Sequence, residues 1–188
     1  MLDNSSPLIE NNSINNNWSE GYGGGIAVWY KSSPVIKNNT IAHNSSDEIA
    51  GGILVTMMSD PVIAGNTISH NSSNSSGAIY VAHMSEATIR GNQIDSNNAN
   101  LGAGLFIWRT DSVLIEDNVI NNNRAKQNGG GIYLGNRASA TVRNNIFDHN
   151  TALTRGGAVW VDKDSRVQMA SPDDNSYRGN SPDNIYRR

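Results

Sequence analysis

The pattern I-x-x-N-x-I-x-x-N returns at a nearly fixed interval along this 188-residue chain, and it leaves few folds open. It reads "IENNSINNN" at 9–17, "IKNNTIAHN" at 36–44, "IAGNTISHN" at 63–71, "IRGNQIDSN" at 89–97, "IEDNVINNN" at 115–123 and "VRNNIFDHN" at 142–150. A degenerate "NSYRGN" follows at 175–180. The first asparagines are Asn12, Asn39, Asn66, Asn92, Asn118, Asn145 and Asn175, so subtraction gives spacings of 27, 27, 26, 26, 27 and 30. A second landmark keeps the same period: "GGIAV" (24–28), "GGILV" (51–55), "GAIYV" (77–81), "AGLFI" (103–107), "GGIYL" (130–134) and "GAVWV" (157–161). A sustained period of this length means stacked units, none of which can bury its own apolar face alone.

Within a unit the apolar residues alternate over short stretches, which is the period of strands. No ten-residue stretch shows the i, i+3, i+4, i+7 spacing of an amphipathic helix, so repeated helix pairs fail. Propeller blades need about 40 residues, and leucine-rich repeats need a leucine-led consensus that is missing. A coil of 26 or 27 residues accommodates three short strands and three turns. Stacked coils set equivalent strands side by side about 4.8 Å apart in parallel sheets. The expected fold is therefore all-β: one parallel β-helix domain over residues 1–188, of about six to seven coils. The periodic asparagines acquire a reason in it. Where a coil bends, backbone groups lose their ladder partners, and an inward Asn amide can donate to and accept from backbone and the same Asn one coil away. Asn also tolerates the left-handed conformation that bends require.

The formal charge of −3 and the scattered Lys and Arg give no nucleic-acid footprint. The absence of cysteine removes disulfides and Cys-ligated metals. No apolar run approaches the roughly 18 residues of a membrane helix, so no membrane insertion is expected. The opening "MLDNSSPLIE" has neither the basic nor the apolar region of a signal peptide.

The units resemble the right-handed β-helix repeats of the pectin-lyase-like superfamily over essentially the whole chain. "FDHN" (147–150) and "GGAV" (156–159) are also similar to the F-x-x-N and G-G-A-I/L/V motifs of polymorphic outer-membrane autotransporters. The resemblance implies a right-handed coil. It implies no single activity, because the superfamily spans polysaccharide lyases, hydrolases, alginate epimerases, periplasmic accessory proteins and surface proteins, and these motifs are scaffold. The N-T-D, D-D and G-H-G set of polygalacturonase-like hydrolases is absent, as are R-x-P-x-x-R and D-P-H-E; "RTD" (109–111) and "PDD" (172–174) stand without partners. No catalytic residue is assigned.

In a solenoid each repeat position becomes a column along the axis. Alternation in the glycine-led strand puts Ile26, Ile53, Ile79, Leu105, Ile132 and Val159 inside, and Ala27, Leu54, Tyr80, Phe106, Tyr133 and Trp160 outside. The next outward column holds Trp29, Thr56, Ala82, Trp108, Gly135 and Asp162. Six of the chain's aromatics thus share one face: Trp29, Tyr80, Phe106, Trp108, Tyr133 and Trp160. Exposed aromatics at that density mark a contact surface. Rings about 4.8 Å apart suit successive sugars of a polysaccharide; burial under another protein, or plain strand preference, are the competing readings. On the next strand Arg90, Glu116 and Arg143 fall on successive coils and read as an exposed ionic ladder. His43, His70 and His149 share the position before the second asparagine; no carboxylate shares their column, so they read as turn residues. Met57, Met58 and Met84 beside His83 are too few donors for a soft-metal site. No metal or other cofactor is expected.

Met1 aligns with Val28, while Ile185 and Arg187 in "NIYRR" take the Ile26 and Val28 positions. The first coil opens without an amphipathic cap, as expected of a fragment of a longer protein or a chain covered by self-association or further domains. "SPDDN" at 171–175 reads as a terminating turn. The favoured function is a non-catalytic secreted or cell-surface module that binds polysaccharide along the aromatic face. Two alternatives stand: a polysaccharide lyase, hydrolase or epimerase, or part of one; and an adhesin stalk whose aromatic face packs on a protein.

Overall fold

The computed structural model describes residues 2–169 and 174–188. Among the described residues every strand pair is parallel, and each strand inside a sheet pairs with its equivalents one coil before and one coil after. Four sheets result. The glycine-led sheet has eight strands in chain order, from Leu2–Asp3 through Ile26–Trp29 to Ile185–Arg187. Two further sheets have seven strands each; they begin at Leu8–Glu10 and at Ser13–Asn15. The fourth sheet has six strands of two residues, from Trp18–Ser19 to Thr151–Ala152. The sequence reading of three strands per coil lacks this last one, because two residues are too short to show an alternation.

Register follows the expected columns. Ile26 opposes Ile53, Ile53 opposes Ile79, and the series continues through Leu105, Ile132 and Val159 to Ile185. Val161 opposes Arg187 as expected. At the other end Leu2, one residue later than expected, opposes Val28. Met1 and most of the "SPDDN" turn lie outside the described residues. Inside the coils run columns such as Ile36, Ile63, Ile89, Ile115 and Val142, each fully buried. Their burial is the main stabilising term, at about 25 cal/mol per Å² of apolar surface.

The two asparagine ladders are present. In each rung, one Asn donates from both its backbone N–H and its Nδ2 to Oδ1 of the Asn on the next coil; for Asn66 and Asn92 the distances are 2.9 and 3.0 Å. Nδ2 also donates to a carbonyl of the preceding coil, here that of Ile36 at 2.9 Å. The left-handed conformation does not fall on the ladder asparagines themselves. It falls one residue earlier, on Asn11, Asn38, Gly65, Gly91, Asp117 and Asn144 in one corner and on Asn16, His43, His70, Ser96, Asn122 and His149 in the other. Asn, Asp, His and Gly are the residues that tolerate it, so the histidine column is a turn position. His43 and His70 stack with ring centroids 4.9 Å apart.

A third ladder escaped the sequence reading. In the turn after the glycine-led strand, the Ser32 and Ser59 hydroxyls donate to the carbonyls of Trp29 at 2.6 Å and Thr56 at 2.8 Å. Each serine oxygen also accepts from a backbone N–H one coil back: Ser32 N–H to Ser59 at 3.3 Å and Ser59 N–H to Ser85 at 3.1 Å. The ionic column is only partly realised. Arg143 grips Glu116 through Nη2 and Nε at 2.7 and 3.0 Å, while Arg90, in register with Glu116, forms no ion pair with it. Lys37 pairs with Glu10 at 3.2 Å in the same column, on the first two coils.

Candidate functional site

The pleat turns Tyr80, Phe106, Tyr133 and Trp160 outward, yet they are only 5–8% exposed. These four rings do not form the exposed face that alternation predicts. Strict register brings ring over ring: Tyr80 to Phe106 at 5.4 Å, Phe106 to Tyr133 at 4.8 Å and Tyr133 to Trp160 at 4.2 Å, all within 11° of parallel. Trp108 lies against this stack, 5.6 Å from Phe106 and 6.5 Å from Tyr133. Gly135 makes room for it, since a Cβ there would meet Tyr133 and Trp108 ring carbons at 2.6 and 2.8 Å. Ala50, Ile49 and Leu101, from the turns before the strands, pack on the flank. The result is a second apolar core on the outside of the coil. Its ring faces are taken up by one another, so they offer no platform to successive sugars. At its far end Trp160 registers with Tyr186, over which Arg155 sits 5.4 Å from the ring centroid.

The stack stops at Tyr80. In the next coil toward the N-terminus its register partner is Leu54, and beyond that Ala27. Small residues there leave a notch of about 300 Å³ between Tyr80 and the pair Tyr22–Trp29, whose rings meet edge-on at 5.8 Å and 73°. Leu54 forms its floor, and Thr56 Oγ1 and His83 Nδ1, 3.0 Å apart, stand at its wall with Met57. Of the six predicted residues the structure thus brings Trp29 and Tyr80 to one cavity and commits Phe106, Trp108, Tyr133 and Trp160 to the outer core. Tyr22, Leu54, Thr56 and His83 were not anticipated. The break in the column from aromatic to Leu54 and Ala27 was visible in the sequence; the concavity was not. Among the described residues no three of His, Asp and Glu converge as metal ligands.

A family model described as right handed beta helix region matches residues 1–120 and 73–185. The chain belongs to this right-handed β-helix family. No curated protein and no solved structure matched it.

In this right-handed β-helix the outer core also sets tyrosine chemistry. Burial pushes the Tyr80 phenol up to about 12, with a smaller push from Tyr22. Burial and then Asp162 push Tyr133 up to about 12, against an opposing pull from Arg188. Between pH 10 and about 12 the unfolded chain sheds these protons and the folded chain keeps them. The stability is therefore whole below pH 10 and falls as pH rises through about 12. Alkaline titration of phenolate absorbance on the folded protein is expected to show the ionisation of Tyr80 and Tyr133 delayed to about 12, coincident with loss of structure. Replacing both with phenylalanine is expected to shrink that delayed component to the part from Tyr177, which burial also pushes up to about 12.

Proposed function

We propose that this β-helix is a non-catalytic carbohydrate-binding module whose saccharide enters the notch between Tyr80 and Tyr22–Trp29. The observation that carries the reading is the interruption of the aromatic stack at Leu54. It leaves an aromatic-walled hollow with a few polar groups at its edge, the usual make-up of a small-molecule site. A sugar offers an apolar C–H face for the rings and hydroxyls for Thr56 and His83. A secreted or cell-surface location accords with a glycan ligand.

Tryptophan fluorescence of the intact chain, titrated with a panel of neutral and acidic oligosaccharides, tests this. Trp29→Ala is expected to weaken the binding at least about tenfold, as loss of an aromatic wall does. Leu54→Tyr completes the stack, fills the notch and is expected to abolish binding while adding about 1 kcal/mol of stability. Trp160→Ala is expected to leave affinity unchanged. A panel without binders, or equal losses from Trp160→Ala and Trp29→Ala, overturns the notch as the site.

A further inference from the structure

The turn after the glycine-led strand changes its form from coil to coil. Four coils place two successive residues in the left-handed region there: Tyr30–Lys31, Met57–Met58, His83–Met84 and Asn136–Arg137. The intervening coil places only Arg109 there, as the first coil places only Asn4. Thr110 then takes the serine-ladder position, as its carbonyl accepts from Ser139 N–H at 3.1 Å just as Ser59 accepts from Glu86 at 3.0 Å. The ladder fails at this rung. Thr110 is 2% exposed, and its hydroxyl is buried without any hydrogen-bond partner. The serine bond resumes past it, with Ala138 N–H donating to Ser165 at 3.1 Å.

Two adjoining hollows open around this irregular turn, of about 390 and 410 Å³, and they share Asp111 and Arg137. Thr110 and Arg166 line the first and Arg109 the second. Among the described residues none of these three arginines forms an ion pair, unlike Arg143 with Glu116. Three guanidiniums against Asp111 and Asp164 leave a local excess of one positive charge in a chain of net charge −3.

We propose that this double hollow is a binding site for a tetrahedral oxyanion, a sulfate or phosphate group, held by Arg137 with Arg109 and Arg166 beside the irregular turn at Thr110. Arginine presents a fork of donors that matches such oxygens, and charge-assisted bonds to them are the strong kind. Asp111 and Asp164 oppose the bound charge and keep the site from holding any anion that does not engage the arginine forks. The site is separate from the notch and does not depend on it.

Titration of the intact protein with inorganic sulfate and inorganic phosphate, at ionic strength held constant with chloride and followed by NMR of the arginine side chains and the Thr110 amide, tests the proposal. Saturable shifts confined to Arg109, Thr110, Arg137 and Arg166 are expected. Arg137→Gln and Arg166→Gln are each expected to weaken binding about tenfold. Asp111→Asn is expected to tighten it by removing a like charge, while Arg143→Gln and Leu54→Tyr leave it unchanged. A sulfated disaccharide that binds more tightly than inorganic sulfate, where its desulfated form does not bind, identifies an esterified source; equal affinity identifies the free ion. Non-saturating shifts, equal weakening by Arg143→Gln, or weaker binding in Asp111→Asn overturns the proposal.

Discussion

Replacing Asn118 with leucine is expected to lower the unfolding free energy by about 3–6 kcal/mol, measured by urea denaturation of the intact chain. The side chain is 1% exposed. Its Nδ2 donates to the Ile89 carbonyl and to Asn145 Oδ1, both at 2.9 Å. Its Oδ1 accepts from the backbone N–H and Nδ2 of Asn92, at 2.9 and 3.0 Å. Leucine fills similar space but leaves the Asn92 backbone N–H and one Nδ2 proton without an acceptor and takes one bond from the Ile89 carbonyl, while Asn92 Nδ2 keeps the Ile63 carbonyl at 2.9 Å. Each buried polar group left unpaired costs about 1–3 kcal/mol. Asn145 Oδ1 still accepts from the Asn118 backbone at 3.0 Å, which limits the damage above. The comparison that isolates the ladder is Asn12→Leu. Asn12 is exposed and donates to Asn39 Oδ1 at 3.1 Å, with no Asn donating to it. Its loss is expected to cost about 1 kcal/mol or less. Equal losses at the two positions would refute cooperative satisfaction along the column as the reason for the repeat.

Gly130→Ala is expected to be as severe, at 4 kcal/mol or about that, and for a reason of space alone. A Cβ at this position would lie 2.5 Å from the Gly157 carbonyl oxygen and 2.6 and 2.7 Å from the Thr151 oxygen and nitrogen. All three are backbone atoms of the following coil, so relief requires a shift of backbone; only the coil with Ala103 at the equivalent position carries a Cβ here among the described inner coils. Gly51 and Gly157 occupy the same position and face the same backbone approach. Gly91→Ala is the contrast: it has a φ of +62° but no neighbour nearer than 3.9 Å. It is expected to cost only the left-handed penalty, about 1 kcal/mol. Chemical denaturation of both variants separates the two effects. A mild Gly130→Ala would mean that coils can breathe at this corner.

Much of this fold was legible in the chain. Two landmarks at 26–27 residues define the coil, and their alternation names the inward columns down to Ile26, Ile53 and Ile79. The polar inward asparagines read as ladders because an unpaired amide cannot be buried cheaply. The glycine pairs were legible only as landmarks, because close approach of backbone to backbone leaves no mark in the sequence beyond the glycine itself. The serine ladder was harder still. Ser32, Ser59 and Ser85 look like ordinary loop serines until the turns are superposed.

The candidate sites divide along the same line. Period and alternation are properties of a single coil, repeated, so the sequence by itself determined the solenoid, its register and which side of each strand Tyr80 or Tyr133 occupies. Exposure and concavity depend on what the adjacent coils and flanking turns place alongside. Only the tertiary structure decided that the outward aromatics seal one another, that Leu54 opens a notch beside Tyr80, and that one slipped turn leaves the Thr110 hydroxyl without a partner among arginines. The physical reason is that a ring face, a void and an unpaired hydroxyl are each set by neighbours some 26 residues away along the chain but one coil away in space.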